Sequence, residues 1–121
     1  MSDLAQKHCV PCRKGVPPVK GDALLTFSRQ FPFWRVIQEH HLLKTFLFAD
    51  FAEALKFVNC VAGVAEQEGH HPDLYLSWGQ VDVKIFTHKI DGLSENDFIL
   101  AAKIDQVHSA FMRDQSCSTG S

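Results

Sequence analysis

Three histidines in the second half of the chain have the residue type and placement that proton-transfer chemistry requires. His70 and His71 are adjacent, and His88 follows them along the chain. Because imidazole titrates close to neutral pH, neighbouring histidines can hold a proton donor and a proton acceptor side by side. If the fold brings the three together, they predict a site for general acid–base catalysis.

The segment before the first two histidines predicts a long helix. Asp50 is a suitable N-cap, Gly69 can end the helix in the left-handed conformation, and Pro72 prevents the helix from resuming. Apolar residues recur at three- and four-residue steps and are expected to face the core: Phe51, Leu55, Val58, Ala62 and Ala65. The histidine pair therefore directly follows a helix.

The segment between the pair and the third histidine predicts a β-hairpin. Residues alternate in character over Leu74–Trp78 and Val81–Thr87, and a tight turn at Gly79–Gln80 joins the two runs. Because a hairpin returns the chain to where it began, His88 can lie beside the histidine pair. Trp78 is expected in the core rather than in a pocket wall.

The remaining elements come from the two ends of the chain. Residues 1–20 are rich in proline and lack a regular period, which predicts an extended arm on the domain. Asp22 can cap a short helix that runs to Gln30. Residues 33–37 and 42–48 predict another hairpin, whose surface carries His40 and His41.

A third helix is predicted from Glu95 to Arg113, followed by a flexible tail at residues 114–121. Ser94 and Asp97 are spaced as in a capping box, in which the serine hydroxyl accepts from the amide of Asp97 and the carboxylate accepts from the amide of Ser94. This cap explains Asp97 structurally, so we expect its loss to lower stability more than chemistry. The helix has an apolar stripe: Phe98, Ala101, Ala102, Ile104 and Val107.

The order α-β-β-α-β-β-α with short connections predicts an α+β fold. We expect one domain over residues 1–121, with a four-stranded antiparallel sheet and three helices on one face. Twelve basic and fourteen acidic side chains give a net charge of −2 with no basic run, so nucleic acid is not an expected partner. No segment approaches the roughly 20 apolar residues that span a bilayer, so we expect a cytoplasmic protein without membrane contact.

The four cysteines predict no disulfide framework. Cys9 and Cys12 form a C-x-x-C pair beside His8, whereas Cys60 lies in the long helix and Cys117 in the tail. The pair leaves open a metal-binding protein, although no second pair of suitable ligands follows it.

One set of residues resembles the signature of a known family, the pterin-4a-carbinolamine dehydratases. Sequence similarity to this family extends over residues 9–105, and the segment around Cys9 and Cys12 resembles its bacterial-type members. The signature residues keep fixed spacings: Glu66, His70, His71, Pro72, Trp78, His88 and Asp97.

The resemblance implies dehydration of 4a-hydroxytetrahydrobiopterin to quinonoid dihydropterin, without metal or cofactor. It implies that His70 and His88 act as acid and base, and that His71 holds the hydroxyl or the ring. Glu66, Trp78 and Asp97 are then supporting residues. It also implies a homodimer or homotetramer and a functional link to an aromatic amino acid hydroxylase. The sequence leaves open whether the protein serves molybdopterin metabolism instead.

An interaction module is the second interpretation that stays open. Animal members of the family also act as dimerisation cofactors for a transcription factor, a role that would use helix surface rather than histidines. The bacterial-type N-terminus argues against that partner. The sequence leaves open which pterin side chain is the natural one.

Overall fold

The chain forms one antiparallel sheet and three α-helices, in a computed structural model that describes residues 3–10 and 16–114. The predicted α+β class and element order are confirmed. The sheet order is β1-β2-β4-β3, and a 3₁₀ helix, His88–Ile90, follows the last strand. The strands are β1 (Arg35–Ile37), β2 (His41–Leu47), β3 (Asp73–Ser77) and β4 (Gln80–Ile85), and the helices are α1 (Gly21–Ser28), α2 (Phe51–Glu68) and α3 (Glu95–Asp114).

Alternation along the central strand β4 separates the core from the open face of the sheet. Val81, Val83 and Ile85 are fully buried, whereas the intervening Asp82 and Lys84 are half-buried. The helices cover the face to which the buried residues point, because α2 and α3 both contact β4. None of the helices in the described residues is long and apolar enough to cross a bilayer.

The buried face of α2 is not the one predicted. Phe51 and Leu55 are 43% and 41% exposed, and of the predicted stripe only Ala65 is buried. The helix carries two apolar stripes with the same period, so the period alone cannot select the one that packs on the sheet. The residues that do pack are Ala54, Phe57, Cys60, Val61, Val64 and Ala65.

The turn between β3 and β4 is displaced by one residue from the prediction. Ser77 pairs with Gln80, so the turn is formed by Trp78 and Gly79. Gly79 has a φ of 62°, and a Cβ there would lie 2.8 Å from the carbonyl oxygen of Phe48. Because Trp78 is at the turn, it is 74% exposed, and the expectation that it lies in the core is wrong.

The ends of the chain also differ from the predictions. The arm is not extended throughout, because Asp3–Gln6 form a 3₁₀ helix that buries Leu4. The N-cap position of α1 is Lys20, whose side chain makes no capping hydrogen bond, and Asp22 lies in the first turn instead. Cys60 is disulfide-bonded, which was not predicted. Cys12, Cys117 and the tail at 115–121 lie outside the described residues.

His108 makes the stability of the fold dependent on pH. Its ring centroid lies 4.8 Å from that of Phe46 and 5.5 Å from that of Phe57. Burial, with a contribution from Lys44, lowers the pKa of His108 below its ordinary value. The unfolded chain therefore binds the proton more readily than the folded chain, and stability falls as the pH drops below about 6.5.

We expect His108→Gln to reduce this loss of stability in acid. The urea midpoint of the parent should fall between pH 7.5 and pH 5.5, and the midpoint of the variant should fall less over the same interval. Equal slopes in the two proteins would show that other groups control the acid response.

Candidate active site

His70, His71 and His88 line one cavity of about 530 Å³. The hairpin explains why they meet. Asp73, at the start of β3, pairs with Lys84, near the end of β4. The histidine pair precedes β3 and His88 follows β4, so the structure brings the three together as the hairpin predicted.

His70 is held by a buried carboxylate. Its Nε2 lies 2.6 Å from Oδ1 of Asp97, whose side chain is 0% exposed. Since a carboxylate accepts hydrogen bonds, Nε2 carries the hydrogen in this pair, and Nδ1 holds the lone pair of the neutral ring. Among the described residues Nδ1 of His70 has no hydrogen-bond partner, so it is the nitrogen available to a bound molecule.

Asp97 does more than cap α3. Its Oδ2 accepts hydrogen bonds from the amide of Ser94 at 2.7 Å and from Oγ1 of Thr87 at 2.9 Å. The first of these bonds confirms the carboxylate half of the predicted capping box. Asp97 therefore joins the start of α3, the segment after β4 and His70 in one network.

His71 is paired with Glu66 at the surface. Nε2 of His71 hydrogen-bonds Oε2 of Glu66, and the two side chains are 61% and 77% exposed. An exposed pair of this kind contributes little to stability, but it fixes the orientation of the ring. Glu66 does not itself line the cavity.

His88 begins the 3₁₀ helix after β4, and its side chain is exposed. The amide of Thr87 donates to the carbonyl oxygen of Gly92 at 2.8 Å, which closes the loop around the helix. The ring of His88 lies against Phe86, with the centroids 4.2 Å apart. The imidazole is thus held at the cavity without a carboxylate partner among the described residues.

Cys9 also lines the cavity, and its thiol is partly buried there. Burial and the negative charges of Glu68 and Asp97 raise the pKa of Cys9 to about 12. The thiol of Cys9 is therefore protonated at neutral pH in the metal-free protein. No group of three or more His, Cys, Asp or Glu is arranged for a metal within residues 3–10 and 16–114. The C-x-x-C hypothesis stays a prediction because Cys12 lies outside these ranges.

Several residues that line the cavity were not predicted from the sequence. Trp78 does not line this cavity. The partly exposed His40 lies with its ring 4.6 Å from that of Phe86, which in turn contacts His88. The lining residues for which the sequence predicted no role include Val10, Glu68, Thr87 and Asn96. Thr87 and Asn96 directly precede the signature residues His88 and Asp97, and Val10 lies within the C-x-x-C pair.

The comparisons with known proteins agree with one another. Residues 17–107 match the family model described as pterin 4 alpha carbinolamine dehydratase. A relative from Rubrobacter xylanophilus is 54% identical over 107 residues, covering 88% of this chain and 100% of that protein. One from Alkaliphilus metalliredigens is 50% identical over 110 residues, covering 90% and 99%. The names of both place them in that family.

A solved structure extends the similarity to the fold. The crystal structure of a transcriptional coactivator/pterin dehydratase from Brucella melitensis superposes with a TM-score of 0.69 at 27% identity. The match covers 74% of this chain and 96% of that chain.

Proposed function

The chain belongs to the pterin-4-alpha-carbinolamine dehydratase family, and we propose that it removes water from a 4a-hydroxytetrahydropterin by histidine acid–base catalysis. One observation carries the proposal. The three signature histidines line a single cavity, and one of them is tied to a buried carboxylate. A histidine held in one tautomer by an acid is a common arrangement for proton transfer.

The reaction needs two proton transfers and no change of oxidation state. The C4a–O bond breaks, and the hydroxyl leaves as water after it gains a proton. N5 loses its own proton, and its electrons form the double bond to C4a of the quinonoid dihydropterin. The protein must therefore supply one base and one acid on the two sides of the C4a–N5 bond.

The contacts of each histidine favour a division of roles. We assign His70 as the base for the N5 proton, because Asp97 holds hydrogen on Nε2 and stabilises the imidazolium that forms when Nδ1 takes a proton. His88 is the acid that protonates the departing hydroxyl. His71, oriented by Glu66, binds the hydroxyl or the edge of the ring.

The direct test is the rate at which the carbinolamine disappears. The purified protein should accelerate dehydration of 4a-hydroxytetrahydropterin well above the rate in buffer, measured by ultraviolet absorbance. Treatment with a chelator should leave this rate unchanged, because proton transfer between histidines needs no Lewis acid. A large loss that zinc restores would support the metal-binding interpretation of Cys9 and Cys12 instead.

We also propose that the chain assembles with itself in the cytoplasm and serves a pterin-dependent aromatic amino acid hydroxylase. The exposed stripe of α2 supports self-assembly, since Phe51 and Leu55 present apolar surface that a second copy can cover. The coactivator role named for the Brucella protein is the alternative. It would depend on helix surface and would survive loss of the histidines.

A further inference from the structure

The family model matches residues 17–107, so the arm of residues 3–10 precedes the segment that this model matches. Cys9 and Val10 nevertheless line the cavity that holds the three histidines. We propose that the arm determines specificity, with Val10 as the wall that contacts the substituent at C6 of the pterin. This inference rests on the proposed function.

Two buried side chains fix the main chain of the arm at the cavity. The amide of Val10 donates to Oδ1 of Asn96 at 3.0 Å, and Nδ2 of Asn96 donates back to the carbonyl oxygen of Val10 at 2.5 Å. Oε1 of Glu68 accepts from the amide of Cys9 at 2.8 Å. Asn96 is 6% exposed and the side chain of Glu68 is 5% exposed. These two buried side chains form a defined anchoring site for the arm.

The charge of Glu68 and the packing of residues nearer the N-terminus also hold the arm in place. Burial alone would raise the pKa of Glu68, but hydrogen bonds from Cys9 and His8 and the charge of Lys103 outweigh it and lower the pKa below its ordinary value. Glu68 is therefore a carboxylate at neutral pH. Nearer the N-terminus, Leu4 is buried, and Nζ of Lys103 donates to the carbonyl oxygen of Ala5 at 2.9 Å.

The anchoring site formed by Asn96 and Glu68 is close in the chain to Asp97 and His70, which we assign to proton transfer. Asn96 directly precedes Asp97, and Glu68 lies just before His70 in the chain. If His70 acts on N5, the substituent on C6 is next to the reacting nitrogen, because C6 is bonded to N5. We place this substituent on the side of the arm, since Cys9 and Val10 line the same cavity as His70.

Val10 has the properties of a contact for a ligand rather than for the core. The residue is 66% exposed, although its main chain is fixed by two hydrogen bonds. An apolar side chain on a fixed main chain presents a constant surface, and a change of its size alters the room for one substituent without moving the catalytic histidines.

The test compares two substrates that differ only at C6. KM and kcat are measured with the 4a-carbinolamines of 6-methyltetrahydropterin and of tetrahydrobiopterin, which carries a dihydroxypropyl group. Val10→Trp should raise KM for the larger substrate about tenfold and for the smaller one much less, with kcat little changed. Val10→Ala should reduce the discrimination of the parent. Lys7→Ala is the matched control, because Lys7 pairs with the exposed Glu95 and does not line the cavity.

A second variant lacks residues 1–10 and so removes the wall altogether. This variant loses the packing of Leu4 and should melt earlier, but the ratio of kcat/KM for the two substrates is independent of the fraction folded. The ratio should move toward one. An unchanged ratio in this variant and in both Val10 variants would overturn the inference.

Binding of 7,8-dihydrobiopterin, followed by fluorescence, separates this failure from failure of the proposed function. If the parent protein binds this pterin and turns over both carbinolamines, and the variants discriminate between the two substrates as the parent does, only the role of the arm is contradicted. A parent protein that neither binds nor turns over contradicts the proposed function, and the inference fails with it.

Discussion

His70→Gln and His88→Ala should each lower kcat for the carbinolamine by roughly 10²- to 10⁴-fold, the range that general acid–base catalysis supplies. Glutamine is chosen at His70 because its side-chain amide can still donate to the buried Asp97. Alanine there would leave a buried carboxylate oxygen without its partner, which costs about 1–3 kcal/mol and would confuse the result. His88 is exposed, so its truncation should leave the melting temperature near that of the parent.

The controls for this experiment are a third histidine and the double variant. His41→Ala removes an imidazole that does not line the cavity, and its kcat should stay near that of the parent. Substrate prepared as a mixture of C4a epimers can let one histidine substitute for the other, and the variant that lacks both removes that route. A double variant that melts normally and turns over at nearly the parent rate would refute the assignment and favour the interaction module.

The proximity of His70, His71 and His88 could be predicted from the sequence, because the hairpin that brings them together is a local structure. The position of His88 opposite the pair depends only on pairing between adjacent strands, which sequence alternation indicates. The turn itself was misplaced by one residue, and that error moved Trp78 from an exposed turn into the predicted core. A shift of one residue changes the face of every side chain in a strand, so such errors affect burial more than topology.

The arm contacts could not be predicted, because they join distant parts of the chain. Cys9 and Glu68 are 59 residues apart, and Val10 and Asn96 are 86 apart. No period or spacing relates such residues, and only the packed tertiary structure brings them together. The capping box had the opposite problem: it explained Asp97 so completely from local sequence that the bond to His70 was not anticipated.

Asp97→Asn is expected to lower kcat by about 10²-fold or more, with a smaller effect on KM, because it reverses the tautomer of His70. The asparagine oxygen can replace Oδ2 and continue to accept from Ser94 and Thr87. Its NH₂ group then faces Nε2 of His70 and donates to it. Nε2 must hold the lone pair, and the hydrogen moves to Nδ1, which can no longer accept a proton from N5.

Thr87→Val is the matched control. It removes a hydrogen bond that the same carboxylate accepts, and Thr87 makes no hydrogen bond with His70. Both variants should lose stability, by about 1–3 kcal/mol for a buried polar group deprived of a partner. Only Asp97→Asn should exchange the ¹⁵N chemical shifts of the two ring nitrogens of His70, since the shifts report which nitrogen carries hydrogen. If Asp97→Asn melts like Thr87→Val, keeps the parent tautomer and retains a similar kcat, Asp97 stabilises the start of α3 and has no part in proton transfer.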